Sequence, residues 1–208
     1  MRLSIKNYRH FLKLNFSPVI KILTISDILI LSGFGLVAPI FAIYITNSVK
    51  GGSVEVAGLA TMIYLLARSL GQLPAAFIID KIKGENDDYT ALVIGSVITS
   101  FVPLFYIFAT NIPLLYLVQF IYGLSQAFTY PSWSAIFTRH IDRNREGMEW
   151  GIYTTFVDLG GATVAGLGGY VAYIFGFKPL FIVVSIMSFL GCYFLTFLKP
   201  YLKQKIRG

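Results

Sequence analysis

The sequence has 208 residues, of which 56% are hydrophobic and only 13% charged, with a mean hydropathy of +0.70. A soluble domain carries about 25% charged residues, so this composition excludes one and describes an integral membrane protein. The formal charge of +7 does not mark a nucleic-acid binder, because the basic residues gather at the ends of apolar runs rather than on one face.

The chain opens with a basic arm, residues 1–21, carrying Arg2, Lys6, Arg9, Lys13 and Lys21. The apolar run behind it is too long for a cleaved signal core and lacks a small-residue cleavage pattern, so it reads as a first spanning helix. Six apolar stretches follow, 22–46, 54–79, 89–109, 112–138, 150–173 and 179–198, each near the ~20 residues that cross a bilayer. They predict an all-α membrane bundle over 22–198, followed by a basic tail, 199–208. Only Thr110 and Asn111 separate the third and fourth stretches, and 174–178 the fifth and sixth. Turns so tight require antiparallel neighbours.

Orientation follows from the basic residues. Fourteen of the 17 lysines and arginines fall in the arm, the second-to-third connection, the fourth-to-fifth connection and the tail. Only Lys50 and Lys178 lie on the opposite side, so the arm and tail are predicted to be cytoplasmic.

Three ionisable residues interrupt the apolar runs: Asp27 in the first, Arg68 in the second and Asp158 in the fifth. A charge at the bilayer centre costs at least ~2.5 kcal/mol, so each needs a partner or a wet cavity. They form either a proton- or substrate-handling group or a structural ion pair with the third residue wetted. On depth, Arg68 and Asp158 are the expected pair. In the fourth stretch Gln119, Tyr122, Gln126, Tyr130 and Trp133 recur at three- and four-residue spacing, one polar-aromatic stripe on a helix. Lipid does not solvate glutamine, so the stripe lines a cavity or hydrogen-bonds to neighbouring helices. Pro39, Pro74, Pro103 and Pro131 should bend the first four helices. The fifth is rich in small residues from Gly160 to Gly169, a surface for close helix packing.

Enzymatic readings lack parts. Gly123-Leu124-Ser125 would offer a serine nucleophile, but the two histidines, His10 in the arm and His140 in the fourth-to-fifth connection, lie in segments predicted to be cytoplasmic. One cysteine and two distant histidines make no zinc site. No phosphate-binding glycine loop occurs, so neither metal nor cofactor is expected.

A weak repeat runs at three-helix spacing. Val93-Ile94-Gly95-Ser96-Val97-Ile98 resembles Val183-Val184-Ser185-Ile186, and Leu70-Gly71 matches Leu159-Gly160. Three helices are an odd number, so the second copy would be inverted in the membrane.

These features resemble the N-terminal half of a major facilitator superfamily transporter of the drug-exporting kind. Gly33-Phe34-Gly35-Leu36-Val37-Ala38-Pro39 resembles its first helix. Asp80 and Lys81, followed by Lys83 and Gly84, resemble the gating-loop motif after its second helix. Gly123-Leu124-Ser125-Gln126-Ala127 resembles its fourth-helix motif, with Gln119 standing where that motif has arginine. Arg145-Glu146-Gly147 and the Gly160–Gly169 run resemble the next loop and the antiporter signature, with Val164-Ala165 in place of its Gly-Pro. The resemblance implies a 3+3 inverted-repeat half that pairs with a second half, as a homodimer or with another six-helix unit. Its partners would be the bilayer and a small organic solute moved by alternating access, with Asp27 as the proton site and the stripe touching solute. The rival expectation is a membrane interaction protein or a transporter fragment that moves nothing.

Overall fold

Helix formation here begins with a cap. In the structure, a computed structural model that describes residues 17–81 and 84–202, the Ser17 hydroxyl accepts the Val19 N–H at 3.2 Å. Pro18 fills the first turn, where a missing N–H costs nothing. Helix α1 is therefore Pro18–Val37, and Pro18 to Lys21, expected in the basic arm, form its first turn. At Pro39 the backbone tightens into a 3₁₀ turn, Ala38–Ile40, before α2, Phe41–Ser48, completes the first span. The next helices are α3 (Val54–Lys81), α4 (Asn86–Phe108) and α5 (Ile112–Arg139). Pro74, Pro103 and Pro131 lie inside them without ending them. Helix α6 is Glu146–Phe175 and α7 is Phe177–Leu195, joined through Gly176 alone, whose φ of +80° suits glycine. A 3₁₀ segment, Thr196–Tyr201, follows.

The first span and α3, α4, α5 and α7 are long and apolar enough to cross a membrane. Helix α6 is long enough but less apolar, because Asp158, its threonines and its glycines dilute the run. Large apolar side chains such as Ile94, Phe105, Ile186 and Tyr193 point outward, as lipid allows.

Helix α1 packs on α6 and α7, α5 packs on α3 and α4, and α4 packs on α7. Exchanging the first three spans for the last three leaves that pattern unchanged. Two glycines make the tightest of these contacts possible. A Cβ on Gly123 would lie 2.5 Å from the Tyr64 carbonyl oxygen, and one on Gly168 would lie 2.0 Å from that of Leu36. Backbone therefore meets backbone at α5–α3 and at α6–α1.

The buried apolar side chains form two clusters, one toward each end. Tyr44, Val102, Tyr106, Leu115 and Phe181 centre the first, with the Tyr44 hydroxyl donating to the Tyr106 carbonyl at 2.6 Å. Leu23, Leu92, Ile136, Phe137, Leu195 and Leu198 centre the second. Leu198 and Leu202 are both buried there, so packing continues beyond residue 198, into the stretch expected to be tail. Serine and threonine hydroxyls bond across helices or back to the preceding turn. Ser185 Oγ donates to the Ser100 carbonyl at 2.6 Å, tying α7 to α4.

Candidate functional site

Helices α1, α4 and α5 each run from one cluster to the other, and the residues between the clusters surround a hollow. Asp27, Arg68, Tyr122, Gln126, Tyr130 and Trp133 all line this cavity of about 250 Å³. The helical period places the α5 residues on one wall, and the α1–α5–α3 packing brings Asp27 and Arg68 to the others.

Arg68 is held by aromatic rings. Its guanidinium donates to the Tyr64 hydroxyl at 3.3 Å and lies 5.0 Å from the centre of the Tyr130 ring. The electron-rich ring face favours the cation where water is scarce. Tyr64 precedes Arg68 by four residues and so shares its helix face, a spacing visible in the sequence but not used.

The expected Arg68–Asp158 pair does not form. Arg68 belongs to α3, which packs on α5, whereas Asp158 belongs to α6, which packs on α1. Asp158 is exposed, and among the described residues no ion pair joins it to Arg68. Matching depth did not imply matching neighbours. Arg68→Ala and Asp158→Ala should then change unfolding free energy additively within about 0.5 kcal/mol. A coupling above that in the double mutant, measured by denaturant titration in detergent, would restore the pair.

Asp27 is partly buried, and its Oδ2 accepts the Tyr153 hydroxyl at 2.8 Å. The α1–α6 contact makes this bond, and no sequence spacing links positions so far apart. Gln126 Nε2 donates to Thr99 Oγ1 at 3.1 Å, and Thr99 shares a 3.0 Å bond with Ser125. The serine that would have served as nucleophile thus joins α5 to α4. Trp133 stacks on Phe137 at 4.7 Å and packs near Tyr153 at 5.0 Å. Its ring is buried, and its indole N–H has no hydrogen-bond partner among the described residues.

The stripe on α5 does not line one continuous cavity. Tyr122 stacks between Phe34, at 5.1 Å, and Tyr64, at 4.6 Å. This partition separates Gln119, which is buried beside a second hollow of about 220 Å³ with Tyr106 and Phe41.

The helices align with those of a solved transporter at a TM-score of 0.76 and 15% identity, covering 91% of this chain and 39% of that one. That protein is the POT family transporter PepTSo, in an in meso crystal structure. Identity this low shows a shared fold. The sequence itself matches the family model of the Major Facilitator Superfamily over residues 23–207. The chain belongs to that superfamily. It is a multi-pass membrane protein that spans about two-fifths of the length of the transporter it resembles. No curated protein matches it.

The segment that resembles the superfamily's gating-loop motif lies at the end that carries the second cluster. Asp80 is exposed in the last turn of α3, and the Lys81 ammonium lies over the Phe77 ring at 4.1 Å. Lys83 lies outside the described residues, and Gly84 turns the chain at φ +117°. The buried charges are next door. Asp88, 1% exposed, accepts a charge-assisted bond from the Arg139 guanidinium, and Glu85 lies 3.8 Å from His140. These pairs join the start of α4 to the end of α5. The sequence signal was an acidic run, Glu85 to Asp88, meeting Arg139-His140 across an antiparallel pair.

Proposed function

We propose that these six helices act as one half of a solute transporter, their cavity forming one wall of the transport path. The observation that carries this is the gathering of Asp27, Arg68, Gln126 and Tyr130 around one mid-bundle hollow. Residues of those types are costly in hydrocarbon and useful in a wet path. The second half would be a parallel copy of this chain or another six-helix unit, and transport would proceed by alternating access of a small organic solute. The packing pattern, unchanged when the two sets of three spans are exchanged, supports a 3+3 inverted repeat. The basic-residue asymmetry supports both ends being cytoplasmic in the cell membrane. Coupling to protons would fall to Asp27, and Asp80 with its neighbours would gate the cytoplasmic end.

Where the second half would sit follows from what is left uncovered. Helix α3 exposes Leu65, Leu66, Leu70 and Leu73, and α6 exposes Phe156, Leu159 and Leu167. A Cβ added at Gly58 on α3, or at Gly161 or Gly166 on α6, would meet nothing within 4 Å. Asp158 lies on this uncovered part of α6, where lipid would solvate it poorly. Gly166→Cys should therefore be captured by a short bis-maleimide to a second unit in native membranes. Phe194→Cys on α7 should remain uncoupled. Monomeric protein at every crosslinker concentration would instead favour a membrane protein that moves nothing.

A further inference from the structure

The cavity is lined by one cation and one carboxylate, Arg68 and Asp27. An arginine in a spanning helix ordinarily meets a carboxylate, yet Arg68 makes no ion pair among the described residues. Its one hydrogen bond there, to Tyr64 Oη, leaves most of the guanidinium N–H groups unused. Trp133, which also lines the cavity, adds a second unused donor, its buried indole N–H having no partner among the described residues. An orphaned buried donor is costly and rare in a finished site. On the acceptor side, Asp27 Oδ2 takes the Tyr153 hydroxyl, and Gln126, whose Nε2 donates to Thr99, keeps its carbonyl oxygen as an acceptor. Beside Arg68 the stacked rings of Tyr64, Tyr122 and Phe34, 4.6 and 5.1 Å apart in succession, offer a flat apolar surface.

Resting on the transport reading, we infer that the solute is a small organic carboxylate. Its anionic group is held by Arg68 and the Trp133 indole N–H, and its apolar body lies against the Tyr64–Tyr122–Phe34 stack. A planar guanidinium and a carboxylate match in bidentate geometry, and the aromatic wall favours a ring or branched chain. A cation would meet the repulsion of the Arg68 guanidinium in the same cavity.

The test uses the whole chain in membrane vesicles, with Cys192→Ala and a reporter, Leu31→Cys, whose side chain lines the cavity. Labelling of the reporter by a water-soluble maleimide establishes that the cavity is wet. Benzoate, benzylamine and benzyl alcohol are then compared as protectants. Benzoate alone should slow labelling. Arg68→Gln should weaken that protection by about tenfold or more, as expected for a hydrogen bond to a charged group. Arg68→Lys should recover part of it, and Trp133→Phe, which keeps the ring, should weaken it less. Protection by benzylamine in place of benzoate, or benzoate protection that survives Arg68→Gln, overturns the inference and leaves the wet cavity standing. A reporter that never labels overturns the transport reading together with it.

Discussion

Gly168→Val should cost about 3 kcal/mol or more of stability, the upper end of overpacking penalties. The obstacle is main chain rather than a side chain that can swing away. A Cβ at 168 would sit 2.0 Å from the Leu36 carbonyl oxygen and 2.7 Å from its carbon. Helices α1 and α6 would have to separate, breaking the Tyr153–Asp27 hydrogen bond between them. The midpoint of thermal unfolding in detergent reads the loss. Gly161→Ala and Gly166→Ala are the matched controls, since a Cβ at either meets nothing within 4 Å. There the better helix propensity of alanine should leave stability unchanged or slightly raised. Equal effects at the three positions would refute the packing of α6 on α1.

Asp27→Asn should reduce solute uptake driven by a pH gradient to that of protein-free vesicles, while solute exchange without a gradient persists. Asparagine keeps the size and keeps an oxygen to accept the Tyr153 hydroxyl, bonded at 2.8 Å in the parent. It cannot take up or release a proton, so only the coupling is removed. Full gradient-driven uptake in the mutant would make Asp27 a structural acceptor. Tyr153→Phe separates the two roles further, because it removes the donor and leaves the titrating group.

The spans and their order were legible because lipid imposes a simple rule on composition. Six apolar runs became helices, five of them long and apolar enough to cross a membrane, with ends shifted by a few residues where Ser17 caps α1 and where Glu146 to Glu149 extend α6. The α5 stripe was legible from period alone, and it placed Tyr122, Gln126, Tyr130 and Trp133 on the cavity wall. What period does not give is the neighbour across the gap. Tyr153 meets Asp27 through the α1–α6 contact, and Asp158 is turned to the uncovered side of the same helix. Likewise, nothing local in the sequence says that Tyr122 stacks on two rings and divides Gln119 from Gln126.

The outer ends of the spans opposite the Asp88–Arg139 pair are also fastened together. The Lys50 N–H donates to the Thr110 carbonyl at 2.9 Å, pairing Lys50 with Asn111 as a short bridge. The connection after the first span is thereby tied to the connection before α5. With the opposite end held by Asp88–Arg139, α4 and α5 are joined at both extremities, by that pair and by the turn at 109–111. A block clamped in this way has little internal compliance, since close-packed interfaces switch between discrete arrangements rather than stretch. Large motion is then expected as tilting of the block as a unit. Hydrogen exchange should show the Lys50–Thr110 bond and the first turn of α4 at Asp88 opening together or not at all.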